Sequence, residues 1–238
     1  MKFKLNKDAL LGGIQVVSNI VSSKATLPIL SNMLLEAKGE ILKLNTTDLD
    51  IGISCELPVH TYEQGAITIP AKKFSDIVRE LPNGEVIVYA RKNNQIEIEG
   101  ANCRFKLNGL PKEEFPKFPE FKDKDAVLIQ QKDLKEMIRL TSFAVSFEES
   151  RYVLNGILLE MSADKARMVA TDGRRLAKIE KKLVQNSHKD ISIIIPIKAI
   201  SEINRNLKET GECSIICSAN QVLFNIDGIL IATRIIEG

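Results

Sequence analysis

The chain has 238 residues, which is long enough for two domains that each bury their own core. Its 33 basic and 31 acidic residues leave a formal net charge of +2, so the overall charge does not point to a nucleic-acid partner. The apolar runs are too short for a membrane span and the N-terminus lacks a signal-peptide pattern, which predicts a cytoplasmic protein.

The first half of the chain repeats the pattern of a strand, a helix and three strands. The predicted elements are strands near 1–5, 32–37, 41–46, 51–57, 66–69, 85–90, 95–99 and 103–108, with helices over 7–21 and from Pro70. The spacing predicts that the first helix buries Leu10, Ile14, Val17 and Val21, and that the second buries Phe74, Ile77, Val78 and Leu81.

The middle of the chain, residues 110–125, is rich in proline and charge and predicts an extended linker. A second copy of the pattern opens at 126–130, with a helix over 132–145 whose inward residues are Leu134, Ile138, Thr141 and Val145. The predicted domains are therefore 1–109 and 126–238, each with two helices and eight strands.

The two halves are similar in sequence as well as in pattern. Residues 67–79 match 193–205 position by position with an offset of 126, so that Lys72, Asp76 and Arg79 correspond to Lys198, Glu202 and Arg205. Upstream, 35–36 and 47–48 recur at 159–160 and 171–172 with an offset of 124. A repeat of this length indicates a duplicated domain.

The helices of both copies carry cations opposite the apolar stripe. In the second copy, Ile200, Ile203 and Leu207 are expected inside, with Lys198, Glu202 and Arg205 exposed. Such a basic helix face is typical of proteins that contact nucleic acid. A solvated face inherited by both copies is the alternative.

Residues with catalytic or metal-binding spacing are scarce. His60 and His188 lie in loop-like settings without a partner nucleophile, and Gly12-Gly13 within a helix favours close packing over a nucleotide loop. The Asp48 and Asp50 carboxylates stand in a turn, where aspartate is common, although a hard cation is an alternative. The four cysteines lack zinc-site spacing and are expected to be free thiols. We therefore predict a non-catalytic binding protein without a metal or cofactor.

Several motifs in order along the whole chain resemble one known family. They are Met1-Lys2-Phe3, Thr26-Leu27-Pro28-Ile29-Leu30, Ile69-Pro70-Ala71-Lys72-Lys73-Phe74, Leu110-Pro111, Phe115-Pro116, Arg151-Tyr152-Val153-Leu154-Asn155-Gly156 and Val169-Ala170-Thr171-Asp172-Gly173-Arg174-Arg175-Leu176. With these motifs the chain resembles the bacterial sliding clamps, the beta subunits of DNA polymerase III. The resemblance implies an α+β fold of duplicated clamp domains, each with two helices on one side and antiparallel sheets on the other.

The resemblance also implies a function. Three such domains per chain pair head to tail into a six-domain ring around duplex DNA, and this processivity factor tethers the replicative polymerase. The implied contacts with DNA are independent of base sequence and come from cations of the helices and the loop after the first helix, namely Lys24, Lys72, Arg79, Lys135, Arg139, Lys198 and Arg205.

A second implied site is a pocket for short peptide motifs of polymerases, the clamp loader and repair proteins. On this chain it would comprise Arg151, Leu154, Thr171, Gly173, Arg174, Arg175 and Leu176. The repeat changes at this point, because Thr47-Asp48-Leu49-Asp50 in the first copy becomes Thr171-Asp172-Gly173-Arg174 in the second. The alternative is that Asp-Gly only makes a better turn.

The chain differs from the family in length, since it matches the first two of three domains. Lys73, Arg104 and Leu107 are the residues that the resemblance implies for the dimer interface with the third domain of a partner. We therefore expect a fragment that is monomeric in isolation, from a protein bound to the bacterial nucleoid. The alternatives are a ring of three two-domain chains, a monomeric peptide-binding adaptor, or a hydrolase or transferase, for which the chain offers no catalytic constellation.

Overall fold

The computed structural model describes residues 1–22, 27–121, 126–184, 187 and 190–238, without the side chain of Glu149. Two predicted or discussed residues, Lys24 and His188, lie outside the described residues. The chain forms two compact units, Met1–Phe118 and Pro119–Gly238. Each unit combines two helices with antiparallel sheets, which confirms the predicted α+β class.

The first unit contains two antiparallel sheets and two helices. Its elements are β1 (Lys2–Asn6), α1 (Lys7–Ser18), β2 (Asn32–Lys38), β3 (Ile41–Thr47), β4 (Ile51–Pro58), β5 (His60–Glu63), β6 (Gly65–Pro70), α2 (Ala71–Glu80), β7 (Glu85–Ala90), β8 (Gln95–Gly100) and β9 (Cys103–Asn108). The strand orders are β5-β1-β7-β8-β9 and β4-β3-β2-β6. Strand β5 was not predicted, because its four residues are mostly exposed and do not alternate with apolar ones.

The second unit repeats this arrangement without a counterpart of β5 among its described residues. Its elements are β10 (Val127–Gln130), α3 (Gln131–Thr141), β11 (Gly156–Ser162), β12 (Lys165–Thr171), β13 (Leu176–Lys182), β14 (Ile191–Pro196), α4 (Ile197–Asn206), β15 (Glu212–Cys217), β16 (Gln221–Ile226) and β17 (Ile229–Arg234). The strand orders are β13-β12-β11-β14 and β10-β15-β16-β17.

A side chain forms a hydrogen bond with the backbone at each end of helix α1. Asn6 caps its N-terminus by accepting a hydrogen bond from the backbone N–H of Asp8 at 2.8 Å. At the other end, the Ser18 hydroxyl donates to the carbonyl of Ile14, and the helix stops there, three residues before the predicted end. The predicted inward residues Leu10, Ile14 and Val17 are fully buried, whereas Val21 lies beyond the helix and is half-buried.

Helices α2 and α4 each start directly after a proline that ends the preceding strand. In α2, Phe74 and Val78 are fully buried, as the spacing predicts. Ile77, which was also predicted to face inward, is only half-buried, whereas Ser75 is buried. In α4 the prediction of an exposed Glu202 is wrong, because its relative exposure is only 6%. Residue 202 follows Ala199 by three positions, so it lies on the edge of the inward stripe rather than opposite it.

The duplication is visible in the strand registers. In the first unit, β2 pairs with β6 so that Asn32 faces Pro70, and in the second, β11 pairs with β14 so that Gly156 faces Pro196. An isolated bridge then joins Thr68 to Leu110, and its counterpart joins Ile194 to Ile236. The offsets are 124 and 126, as in the sequence. The repeat can therefore be used to compare equivalent positions in the two units.

Candidate functional site

The predicted DNA-binding cations of α2 and α4 are exposed on the outer surface of their helices: Lys72, Arg79, Lys198 and Arg205. Both arginines contact a carboxylate three residues earlier. Arg79 Nη1 lies 3.5 Å from Asp76 Oδ1, and Arg205 Nη1 lies 3.4 Å from Glu202 Oε2. The pair of Arg79 with Asp76 is exposed and contributes at most about 1 kcal/mol, so Arg79 can exchange its partner for another anion. The pair of Arg205 differs, because Glu202 is buried and only the guanidinium group is exposed.

Helix α3 carries the other two predicted cations, Lys135 and Arg139. Lys135 Nζ lies 2.6 Å from Glu209 Oε1, while Arg139 is exposed in the last turn. Together with Glu136 they line an open cleft of about 470 Å³ on the surface of the second unit. The Lys181 ammonium group, 2.5 Å from Glu136 Oε2, lowers the pKa of that carboxyl. The cleft therefore mixes both signs of charge, and an incoming anion would compete with Glu209 for Lys135.

The predicted peptide pocket is built on the turn between β12 and β13. The Thr171 hydroxyl accepts a hydrogen bond from the N–H of Gly173 at 3.1 Å and donates to the carbonyl of Arg175 at 2.7 Å. Asp172 Oδ1 accepts hydrogen bonds from the N–H groups of Arg174 and Arg175, at 2.9 and 3.0 Å. These backbone donors hold the pKa of Asp172 below its usual range. Four side-chain bonds thus fix the path of the turn.

Two of the three pocket arginines are engaged with this turn. Arg151 Nη1 donates to the carbonyl of Asp172 at 3.2 Å, and Arg175 Nε donates to Asp172 Oδ2 at 3.0 Å. Gly173 has φ +87°, and a Cβ there would lie 3.0 Å from Arg151 Nη1. Glycine at this position therefore satisfies both the left-handed backbone and the approach of Arg151.

Both apolar residues of the predicted pocket are accessible to solvent. Leu176 opens β13 opposite Thr171 and is 65% exposed, while Leu154 is half-buried. Three further aromatic residues, which the sequence reasoning missed, are exposed in the preceding segment: Phe143, Phe147 and Tyr152. The Arg175 guanidinium stacks over the Phe143 ring at 5.6 Å. The sequence could have pointed to these three residues because they are close together in a chain that has only nine phenylalanines and three tyrosines.

The first unit contains the same turn at the equivalent positions. Asp48 Oδ1 accepts hydrogen bonds from the N–H groups of Asp50 and Ile51, at 3.0 and 2.7 Å, and the N–H of Leu49 donates to the Thr47 hydroxyl at 3.0 Å. Leu49 has φ +81°, close to that of Gly173. Asp-Gly in the second unit therefore does not create a different turn. The two copies differ instead in the side chains that the turn presents.

The residues predicted for a dimer interface lie on two elements of the first unit. Lys73 is exposed on α2, and β9, which carries Arg104 and Leu107, is the last strand of its sheet. Arg104 Nη2 lies 2.6 Å from Glu99 Oε1 on β8. Since 104 and 107 are three positions apart, their side chains lie on opposite faces of the strand.

The described part of the chain contains no group of three or more His, Cys, Asp or Glu side chains placed to hold a metal ion. None of its helices is long and apolar enough to cross a membrane. The His60 ring packs edge-on against Tyr62 and lies 3.8 Å from a Glu40 carboxylate oxygen. Cys55 and Cys213 are buried, which raises the pKa of each thiol to about 12.

Two family models cover almost the whole chain. Residues 1–119 match the N-terminal domain of the DNA polymerase III beta subunit, and residues 128–238 match its central domain. The beta sliding clamp of Chlamydia pneumoniae is 33% identical over 238 residues, and that of Escherichia coli K12 is 32% identical over 243 residues. In both cases the match covers 100% of this chain and 65% of the relative.

Solved structures give the same result for the fold. The sliding clamp from Bacillus subtilis superimposes with a TM-score of 0.97 at 31% identity. The clamp from Pseudomonas aeruginosa bound to griselimycin superimposes with a TM-score of 0.94 at 33% identity. This chain is covered completely, and it spans 65% of each of those chains. The chain therefore belongs to the family of DNA polymerase III beta subunits, the beta sliding clamps, and corresponds to their N-terminal and central domains.

Proposed function

We propose that this chain is part of a non-catalytic processivity factor that encircles duplex DNA and tethers the replicative polymerase to it. The observation that carries the proposal is the pair of equivalent cations on α2 and α4. Lys72 and Arg79 recur as Lys198 and Arg205, and all four are exposed. Common descent alone would not require positive charge at both places, whereas a helix face directed at phosphates would.

The arrangement suits contacts that must be made and broken repeatedly. A protein that slides needs ionic contacts with the DNA backbone rather than hydrogen bonds to base edges. Lysine and arginine on exposed helical positions supply such contacts without fixing a register. The ion pairs with Asp76 and Glu202 keep the guanidinium groups of Arg79 and Arg205 in place between contacts with successive phosphates. We propose Lys24, which lies outside the described residues, and Lys135 and Arg139 on α3 as further contacts with DNA.

We also propose that the turn of the second unit receives peptide motifs of the polymerase, the clamp loader and repair proteins. Arg151, Arg174 and Arg175 supply donors for backbone carbonyls or acidic side chains, and Leu154 and Leu176 supply apolar contact. The exposed aromatic residues nearby add contact area of the kind that dominates binding energy in small interfaces. Partner recognition is thus assigned to the second unit, where the turn carries Gly-Arg-Arg rather than Leu-Asp-Ile.

The relatives are longer than this chain, and we propose that a further domain of the clamp provides the surface that meets Lys73, Arg104 and Leu107 of another protomer. An obligate interface of this type typically buries more than about 2,000 Å² in total. The 238-residue chain alone should then be monomeric by light scattering at micromolar concentration. A stable dimer would contradict this assignment, and a stable trimer would favour a ring of three chains. In the cell we place the protein on the nucleoid in the bacterial cytoplasm.

The DNA-binding face is tested by replacing its four repeated cations, Lys72, Arg79, Lys198 and Arg205, with serine. Binding of the chain to a labelled duplex is measured by fluorescence polarisation across a series of salt concentrations. Each phosphate contact that is lost should reduce the slope of log K against log salt by about 0.9. A control variant with four lysines outside the helices changed to serine has the same net charge, at Lys38, Lys92, Lys165 and Lys182. Equal slopes for the two variants would refute the assignment.

The peptide pocket is tested with Leu176→Glu. The labelled probe is a short peptide with a glutamine and two hydrophobic residues downstream, titrated against the chain by polarisation. Peptide binding would desolvate the new carboxylate, so affinity should fall below detection. Ile41→Glu introduces the same charge at another exposed apolar position, in the first unit, and should leave affinity unchanged. If Leu176→Glu bound the peptide as tightly as the parent, the pocket would lie elsewhere.

A further inference from the structure

The first unit contains a counterpart of the peptide pocket at equivalent positions of the repeat. In the second unit a 3₁₀ segment, Glu149–Leu154, leads into β11, and in the first unit Pro28–Ser31 leads into β2 in the same way. The register of the strands that follow is the same in both units. Leu30 therefore occupies the position of Leu154, with an offset of 124, and the turn after Thr47 occupies that of the turn after Thr171.

This counterpart is already filled by the protein itself. Phe115, from the segment predicted as a linker, is only 7% exposed and packs in one apolar cluster with Ile29 and Leu30. Leu34 and Leu110 pack against the same cluster. Within this cluster Leu30 matters most, because it is the equivalent of the predicted pocket residue Leu154. An aromatic side chain thus occupies the place that the proposed function gives to the anchor of a partner peptide.

The segment that carries Phe115 is bound in the manner of a peptide. At its start the N–H of Thr68 donates to the carbonyl of Leu110 at 3.1 Å, and the N–H of Leu110 donates to the Thr68 hydroxyl at 3.1 Å. Gly109 passes so close that a Cβ there would lie 2.1 Å from the carbonyl oxygen of Thr68. Backbone pairing to a strand followed by an apolar anchor is a recurring mode of peptide recognition.

The second unit has backbone pairing at the equivalent positions of the repeat. The N–H of Ile236 donates to the carbonyl of Ile194 at 2.8 Å, which joins the same two positions as the bond between Thr68 and Leu110 but with donor and acceptor exchanged. Val153 and Leu154, the equivalents of Ile29 and Leu30, are only half-buried there.

We infer that residues 110–118 act as an intramolecular ligand, which occupies a second peptide site in the first unit. Release of Phe115 would open an apolar site for peptides with an aromatic anchor. Its rim would be less basic than that of the second unit, because Leu27, Asp50 and Ile51 stand in place of Arg151, Arg174 and Arg175. The inference rests on the proposed function for its comparison with a partner peptide.

The test uses the 238-residue chain and a labelled peptide with the sequence of residues 110–118. The stoichiometry of binding is measured by isothermal titration calorimetry for the parent and for Phe115→Ala. The variant should bind one more equivalent of peptide than the parent. A peptide in which the anchor phenylalanine is replaced by alanine should not fill the additional site. Phe115→Leu, which keeps an apolar anchor, and Phe118→Ala, which removes a phenylalanine that contacts Gly52 instead, should both behave like the parent.

A second variant opens the site from the other end of the segment. Gly109→Ala places a methyl group against the Thr68 carbonyl and should release the segment while Phe115 is retained, so it too should gain an equivalent. Folding of each variant is checked by circular dichroism. If both variants fold and bind no more peptide than the parent, the inference is wrong. The additional equivalent should survive Leu176→Glu, whereas failure of Leu176→Glu to affect the parent would count against the proposed pocket alone.

Discussion

Adjacent glycines in α1 should respond in opposite directions to the same substitution. Gly12 is exposed, and a Cβ there would meet nothing within 4 Å. Gly13 is buried, and a Cβ there would lie 2.6 Å from Leu57 Cδ1 and 3.0 Å from Leu44 Cδ1. The sequence prediction of a close-packing site in Gly12-Gly13 therefore applies to the second glycine only.

The expected magnitudes follow from helix propensity and packing. Alanine is favoured over glycine within a helix by about 1 kcal/mol, so Gly12→Ala should stabilise the first unit by about that amount. Gly13→Ala gains the same term, but an additional methyl group in a filled core costs about 1–3 kcal/mol. Leu44 is fully buried and cannot move aside, although the half-buried Leu57 can rotate. Gly13→Ala should therefore be neutral or destabilising, by up to about 2 kcal/mol.

Urea unfolding followed by far-UV circular dichroism gives the free energy of unfolding of each variant. Hydrogen exchange measured by mass spectrometry assigns the transition to the first unit. The decisive quantity is the difference between the two variants, since the helix-propensity term is common to both. If Gly13→Ala stabilised the protein as much as Gly12→Ala, the contact of Gly13 with β3 and β4 would not limit packing and the reasoning would fail.

Three further predictions concern titration, thiol reactivity and a buried amide. Because the pKa of Asp172 is lowered in the native state, its contribution to stability is present above the ordinary aspartate pKa and is lost as the pH falls through the native value. Asp172→Asn should thus flatten the loss of stability in acid, and parallel urea curves for parent and variant below about pH 4 would contradict this. Maleimide at pH 8 should label the exposed Cys103 first, because burial raises the pKa of the other thiols, Cys55, Cys213 and Cys217. Equal labelling by mass spectrometry would refute it. Gln131→Ala should cost about 2 kcal/mol in urea unfolding, since it removes a fully buried side chain together with its hydrogen bonds to Lys208, Glu212 and Asp227, whereas Gln130→Ala should change stability by less than about 0.5 kcal/mol. Similar losses for the two glutamine variants would show that the buried network is not stabilising.

Periodicity was sufficient to predict most helices and strands of the fold. The stripe of Leu10, Ile14 and Val17 is buried as predicted, because it depends only on the turn of the helix and on the side chains themselves. The end of α1 and the burial of Glu202 were not predictable in the same way. Both depend on where a helix meets the rest of its unit, and residues near the edge of a stripe can lie on either side.

The segment with Phe115 illustrates another limit of reading a sequence locally. Its prolines and charges indicated an extended linker, and the cluster with Ile29 and Leu30 joins residues more than 80 positions apart. The same applies to the arginines of the second unit, since the family resemblance implied that they line a pocket but not that Arg151 and Arg175 bind Asp172. The roles of these residues in DNA and peptide binding remain predictions.

The paired turns have a consequence for how such a protein acquires new partners. Threonine and aspartate hold each turn through bonds to backbone N–H and carbonyl groups. Of the next three positions, the first needs a residue that accepts positive φ, and the third is buried as Ile51 in the first unit but exposed as Arg175 in the second. After a gene duplication, one copy can change its binding chemistry at these positions while the backbone keeps its course. Grafting Gly-Arg onto positions 49 and 50 of the first unit, with the buried Ile51 kept, would show whether two substitutions on the same turn are enough to transfer recognition.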